Sequence, residues 1–289
     1  MATLTIIIPA YNEERSLEKF LPGIISFCKQ KGYKVIVVND GSKDQTGKVL
    51  AGFSSESLLK VITNKVNTGY GGAIKRGVRE ADTDFVVTID ADGQHNLDDV
   101  EKLFNHAITT DSDMVVGNRG NTSGAYRTMG KWLIRSIAGI LMSLHVHDIN
   151  SGMKLYNTTL AKKYLRICPE TMAYSDIILL TFVYKRHLVS ELPININPRT
   201  EGKSTISAMT ALDTIKEIMN IVVLFNPMRI FFPTGIFLIL VSIAWDVPIF
   251  LRGNGVSVGT LLGIMTGILM FVFGLLAHQL SAFRRETLE

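Results

Sequence analysis

Two long apolar runs near the C-terminus constrain this chain more than any other feature. Ile230–Leu251 holds one formally charged residue, Asp246, and Val256–Phe283 holds no Asp, Glu, Lys or Arg. At ~1.5 Å of rise per residue the first run reaches roughly 33 Å as a helix, the thickness of a bilayer core. Arg252-Gly253-Asn254-Gly255 between them is a polar turn, so the runs are expected to form an antiparallel transmembrane hairpin. The alternative is a pair of core helices in a soluble domain, and two consecutive runs of this length weigh against it. Arg229 precedes the first run and Arg284 and Arg285 follow the second, against Arg252 alone in the turn. The positive-inside rule then places both hairpin ends, and with them residues 1–229, in the cytoplasm. Met1–Ala10 has no charged leader and runs into a strand pattern, which predicts no cleavable signal peptide. The sequons at Asn121 and Asn157 accordingly read as chance matches.

The runs explain the composition. Of 289 residues 47% are hydrophobic and 19% charged, with mean hydropathy +0.24, which excludes a disordered chain. Thirty Lys and Arg against 26 Asp and Glu give a net +4. That charge fits a membrane surface, a phosphorylated substrate or nucleic acid, and selects none of them. Two cysteines, Cys28 and Cys168, exclude a disulfide-built fold and suit a reducing compartment.

Before the hairpin, strand and helix patterns alternate. Strands are expected at Leu4–Ile8, Lys34–Val38, Lys60–Thr63, Phe85–Ile89 and Met114–Val116. Asn12 is expected to cap a helix closed by Gly32, with further helices over Gly72–Glu80 and Leu97–Ile108, the last capped by Asp98 and Asp99. Val49–Leu59 is ambiguous. The order predicts an α/β domain with a parallel sheet covered on both faces, whose binding crevice lies beyond the carboxyl ends of the strands. Polar clusters fall there: Pro9–Glu13, Asn39–Thr46 and Asp90–Asn96.

Two glycine motifs carry little. Gly41–Lys48 has one residue too many for a phosphate loop, with Val49 where Ser or Thr should hold magnesium. Gly69-Tyr70-Gly71-Gly72 lacks dinucleotide spacing and follows the third strand. Asp90-Ala91-Asp92-Gly93-Gln94-His95 carries more. Two carboxylates leaving one apolar strand end suffer desolvation and mutual repulsion, which a hard divalent cation relieves. Asp92 and the Gln94 amide oxygen would be ligands, with Asp90 touching metal-bound water or a ribose. The plainer alternative is an Asp-rich turn capping the next helix.

Four ordered motifs are similar to family 2 glycosyltransferases: Pro9–Glu14, Val38–Asp44, Asp90–His95 and Gly117-Asn118-Arg119. Together they resemble the dolichol-phosphate mannose synthase and polyprenyl-phosphate glycosyltransferase branch over about residues 3–205. The resemblance implies a GT-A (Rossmann-like) catalytic domain over 1–205; the apolar and charge patterns add interfacial helices over 206–229, two transmembrane helices over 230–283 and a cytoplasmic tail over 284–289. It further implies an inverting hexosyl transfer from an NDP-sugar of the GDP-mannose or UDP-glucose type to a dolichyl or undecaprenyl phosphate, with Mg²⁺ or Mn²⁺ and no nucleic-acid partner. Carried over by position, Pro9, Tyr11, Glu13 and Asp40 hold the nucleoside. Asp90 and Ala91 sit against ribose and diphosphate, and Asp92 and Gln94 on the metal. Asn39 stands where many relatives have a second acid, which leaves the base open.

A lipid phosphate needs cations, and arginine's fork suits its oxygens. Arg119, Arg127, Lys131 and Lys203 are the candidates for that phosphate. Pro198–Ser204 resembles the branch's loop over the donor, with Arg199 near the diphosphate. Trp132–Leu144 and Met209–Phe225 read as interfacial helices or, for the first, as a core helix. Arg135 and Lys162–Lys163 read as surface or headgroup contacts, and His95, His145 and His147 as packing or surface residues. Asp148 either orients a hydroxyl or caps a turn; Tyr174, Ser175 and Asp176 either contact the sugar or cap a helix. Gly259, Gly263 and Gly267 line one helix face and suit self-association into a homo-oligomer. Rival readings are a processive membrane polysaccharide synthase, whose Gln-x-x-Arg-Trp motif is missing, a transferase with a soluble acceptor, and a non-catalytic nucleotide-sugar-binding scaffold.

Overall fold

A computed structural model describes residues 2–120, 146–197, 225–253 and 255–286. They fall into two compact units, residues up to 197 and residues from 225 onward.

The first unit is built on β1 (Leu4–Ala10), flanked by β2 (Lys34–Asn39) and β4 (Phe85–Thr88) in parallel, with β3 (Leu59–Thr63) outside β2. Leu4, Ile6 and Ile8 face the layer holding Leu17, Leu21 and Cys28 of α1 (Glu14–Lys31) and Leu103 and Phe104 of α4 (Leu97–Thr110). Ile7 faces the other side, where a Cβ on Gly77 of α3 (Tyr70–Glu80) would come within 2.6 Å of its Cγ2. Both faces of β1 are covered, which is why it reads as a continuous apolar run. Gly32 closes α1 in the left-handed region (φ 71°), its N–H bonding Cys28 O, as its position suggested. Both cysteines are buried and free; burial pushes each thiol up to about 12, far from reactive pH.

The sheet order is β3-β2-β1-β4-β6-β5-β7, with β5 (Met114–Asn118), β6 (Lys154–Asn157) and β7 (Val189–Pro193). One expectation is corrected here. β6 runs antiparallel to both β4 and β5, so the sheet is mixed rather than wholly parallel. The chain leaves β5 at the carboxyl edge and re-enters the sheet from that same edge, which reverses β6. Among the described residues, helices α2 (Thr46–Ala51), α5 (Thr158–Tyr164) and α6 (Tyr174–Tyr184) join this unit. Asn157 has a structural use: its side chain caps α5 by accepting from Leu160 N. The cap of α4 is Asn96, accepting from Asp98 N, rather than Asp98 or Asp99.

The second unit is a helix pair, α7 (Met228–Leu251) and α8 (Val258–Glu286). Both are long and apolar enough to cross a bilayer, with mean hydropathy 2.1 and 2.3. Asp246 is buried and accepts from Ser257 N at 2.9 Å and Thr260 Oγ1 at 2.7 Å, so the lone acid of the first run clasps the start of the second helix. The expected oligomer face lies largely inside the hairpin. A Cβ on Gly267 would meet Gly235 O at 2.8 Å, and one on Gly263 would collide with Ser242 Oγ, while Gly259 meets only Ser257 Oγ. Small residues here let the backbones of one chain approach closely. Gly267→Val should therefore lower the thermal unfolding temperature in detergent, by overpacking worth about 1–3 kcal/mol. Gly259→Val should leave it unchanged; equal effects would contradict this packing.

Candidate active site

The strand directions bring the ends of β1, β2, β3, β4, β5 and β7, and the beginning of β6, to one edge. After β1, Pro9 lies in the ladder opposite Val38, and Tyr11 is 41% exposed. Asn12 does not cap α1. It sits at φ 56°, its N–H donating to Ser42 Oγ and its Oδ1 accepting from Lys43 N. Glu13 accepts from Ser16 Oγ, and its N–H donates to Thr46 Oγ1. The first two loops are thus knitted to each other.

Asp40, after β2, is 2% exposed. Its carboxylate accepts from Asn64 Nδ2, Thr68 N and Oγ1, and Gly69 N. It holds the loop after β3 in shape. Gly41 at φ 67° is required beside it, since a Cβ there would lie 2.7 Å from Asn67 N. The Gly69–Gly72 motif also has its explanation: a Cβ on Gly71 would stand 2.5 Å from Pro169 O and one on Gly69 2.6 Å from Glu170 O. Its Tyr70 reaches the site, the hydroxyl donating to Asp90 Oδ1 at 3.1 Å.

Asp90 follows β4, with His95 Nε2 3.4 Å from its Oδ2. Gly152 backs it so closely that a Cβ would fall 2.6 Å from Oδ2. Burial would raise the Asp90 carboxyl, but the His95 hydrogen bond and charge, the Tyr70 hydroxyl and the Arg119 charge outweigh it and hold it below the usual carboxylate range. Ala91 is buried. Asp92 Oδ1 accepts from Gln94 N at 3.1 Å, and Gln94 Nε2 points to Asn197 O. Among the described residues no three His, Cys, Asp or Glu side chains converge on one point. The hard oxygens of Asp92 and Gln94 are a partial set, fitting a hard cation that shares its remaining positions with phosphate oxygens and water.

Arg119 follows β5. Its Nε donates to Asp148 Oδ2 at 2.8 Å, and one terminal nitrogen to Asp148 Oδ1 and Asn150 O, both at 2.9 Å. Glu191 accepts from Asp148 N and pairs with His147. Asp148 therefore orients Arg119 directly, a role neither of its expected ones described. The other terminal nitrogen makes no hydrogen bond among the described residues. Tyr174, Ser175 and Asp176 lie in the first turn of α6, where Ala173, not a polar side chain, is the cap. Tyr174 and Asp176 are buried, and Asp176 accepts from Asn150 Nδ2. Lys162 and Lys163 are exposed, as their surface reading expects, with Lys162 donating to Ala81 O. Arg127, Lys131, Arg135, His145, Arg199 and Lys203 lie outside the described residues, as do Trp132–Leu144 and all of Met209–Phe225 except Phe225.

A glycosyl transferase family 2 profile matches residues 5–165. The chain belongs to that family. This glycosyltransferase also matches, over residues 226–283, a profile described as the GtrB C-terminal hairpin. It is 29% identical over 228 residues to the dolichyl-phosphate beta-glucosyltransferase ALG5A of Trichomonas vaginalis, covering 73% of this chain and 71% of the relative. It is 28% identical to the undecaprenyl-phosphate 4-deoxy-4-formamido-L-arabinose transferase of Pseudomonas fluorescens, covering 75% and 63%. Both relatives support the polyprenyl-phosphate branch that the motifs resemble. Among solved structures, glucosyl-3-phosphoglycerate synthase of Mycobacterium tuberculosis with Mg²⁺ and UDP superposes with a TM-score of 0.58 at 18% identity, covering 76% of this chain and 78% of that one. The likeness establishes the GT-A fold.

Tyr70 and Lys154 lie against Asp90 and the Asp148–Gly152 turn and escaped sequence reasoning: Tyr70 sits inside a motif set aside, and Lys154 in a strand too short to show a period. The Arg119–Asp148 pair gives a direct test. Asp148→Ala strands a largely buried guanidinium, and should destabilise the protein by about 2–3 kcal/mol. Asp148→Asn keeps one acceptor oxygen and should cost less, both read by thermal unfolding of the full chain in detergent.

Proposed function

We propose that this transferase moves a hexose from an NDP-sugar to a polyprenyl phosphate at the cytoplasmic face of a membrane. The observation that carries the reading is the placing of the Asp90–Gln94 oxygens and the oriented Arg119 at one sheet edge. The names of the relatives, which act on dolichyl and undecaprenyl phosphates, support the acceptor class. The apolar helix pair supports a membrane anchor. Arg229 in its first turn and Arg284 and Arg285 at its end support a cytoplasmic domain.

In this reading Pro9, Tyr11 and Glu13 line the nucleoside, and Asp40 acts by shaping the loop that closes its far side. Asp90 and Ala91 lie against ribose and diphosphate. Asp92 and the Gln94 amide oxygen hold Mg²⁺ or Mn²⁺, which when bound supplies positive charge against the leaving diphosphate. An acceptor phosphate oxygen attacks the anomeric carbon, the bond from that carbon to the diphosphate oxygen breaks, and the diphosphate departs with the electron pair. The anomeric configuration inverts. A phosphate monoester is ionised at neutral pH, with its second pKa near about 6, so no general base is required. Arg119 presents to that phosphate the terminal nitrogen that no described residue bonds, with Arg127, Lys131 and Lys203 as further cations and Arg199 on the diphosphate. The protein's contribution is orientation and charge stabilisation.

Calorimetric titration with UDP and GDP should show binding of one of them, and radiolabelled transfer to polyprenyl phosphate should give a lipid-extractable product. Asp92→Ala should lower that transfer by about a hundredfold or more, the scale of losing a main charge-stabilising contact. EDTA should abolish it, with recovery on adding Mg²⁺ or Mn²⁺. Full activity in either case would refute the metal assignment, and failure to bind either nucleotide would refute the donor class.

A further inference from the structure

Lys154 stands at the start of β6, 1% exposed, opposite Thr88 of β4 and Val116 of β5. A buried ammonium is costly to desolvate, and a methionine would fill the same space without that cost. Among the described residues no carboxylate lies within hydrogen-bond distance of it. Its Nζ donates instead to Ile149 O at 2.6 Å, to Ser175 O at 2.7 Å and to Ser175 Oγ. Ser175 Oγ donates onward to Ser151 O at 2.8 Å. The three ammonium protons thus join the Asp148–Gly152 turn to the first turn of α6. That turn orients Arg119 through Asp148 and Asn150 O, and its Gly152 backs Asp90 while accepting from Thr88 Oγ1.

We propose that Lys154 is a positioning residue: its ammonium holds the Asp148–Gly152 turn in the shape that fixes Arg119 and backs Asp90, and transfer is fast only while it is charged. The proposal rests on the reading of Arg119 as an acceptor-phosphate ligand. The charged groups around Lys154 come from each element packed on it: Asp90 after β4, Arg119 after β5, Asp148 in the turn and Asp176 in α6. Burial pulls Lys154 down to about 8, with Arg119 adding to the effect and Asp176, Asp148 and Asp90 opposing it. An unfolded lysine titrates near about 10.4. Between these values the folded chain has released a proton that the unfolded chain keeps, so this group's contribution to stability rises with pH while its tie to the turn is lost. Stability and activity should move in opposite directions over one pH window, which a merely structural lysine would not produce.

The test compares full-length wild type and Lys154→Met in lipid nanodiscs, measuring transfer from UDP-glucose and GDP-mannose to polyprenyl phosphate and thermal unfolding from about pH 7 to 10. Wild-type kcat should fall severalfold above about pH 8, while its melting temperature gains an increment absent from Lys154→Met. At neutral pH Lys154→Met should show a kcat lower by about tenfold, the donor KM staying within about twofold, and no alkaline fall. A variant with wild-type kcat, or with the same alkaline fall, overturns the proposal. If Lys154→Met does not fold, Ser175→Ala decides: losing one acceptor should move the alkaline fall to lower pH, and an unmoved profile overturns the proposal. If the wild type transfers from neither donor, the transfer reading fails by itself. The melting increment then tests the tie alone: present in wild type and missing from the variant supports it, and equal curves refute it.

Discussion

Strands buried on both faces leave polar groups very few places to go. β1 has helices on each side, so neither face accepts a charge, and the chain can present acids, amides and cations only where strands end. Parallel pairing of β1, β2, β3 and β4 puts those ends on one edge, and the reversed β6 returns to the same edge with Lys154 at its start. The site is the consequence. The sheet has already brought the first residues of neighbouring loops within hydrogen-bonding reach of the adjacent strand end, Asp40 N donating to Ala10 O and Asn64 N to Asn39 O.

Concentrating charge at an edge creates a second problem, because these groups are partly withdrawn from water. Asp40 is answered by two backbone N–H groups and two side chains, Arg119 by a two-pronged pair with Asp148 and a carbonyl. Lys154 is answered by carbonyls and a hydroxyl. In low dielectric each of these bonds is strong, and each half-satisfied group would be expensive. The same bonds therefore fix loop geometry, which for a transferase relying on orientation and charge is the larger part of the catalytic apparatus.

What could be read from the residues follows the same physics. Strands β1, β2 and β4 and helices α1, α3 and α4 were legible because their apolar periods are long enough to show. β6 and β7 were not: Lys154–Asn157 carries a buried lysine in four residues, and Val189–Pro193 carries Glu191, which turns inward to His147 and Asp148. Asp90, Asp92, Gln94 and Arg119 were legible from position at strand ends. Their pairing with Tyr70, Asp148 and Gly152 was not, because these lie 20 to 62 residues from Asp90 or 29 from Arg119 along the chain, and only folding brings them together. Asn12 looks like a helix cap by type, yet the second loop claims its side chain. A competing tertiary hydrogen bond overrode the local preference.

The helix pair obeys the same rule without a sheet. Asp246 is the single formal charge in its run, and it is answered by the N–H of Ser257 and the hydroxyl of Thr260 at the point where the chain reverses. Asp40 does this for the loop after β3, and Lys154 for the turn before β6, with the donor and acceptor roles exchanged. In each case a buried charge binds the backbone of a chain reversal, since a reversal is where peptide groups lack a helix or strand partner. A lone charge inside an apolar run therefore marks not only a group that needs an answer but also which neighbouring turn will supply it. On that argument the acid at position 246 belongs to the hairpin's own closure, and it leaves the outer faces of α7 and α8 predominantly apolar, with Thr234 and Thr266 bonding their own helix carbonyls.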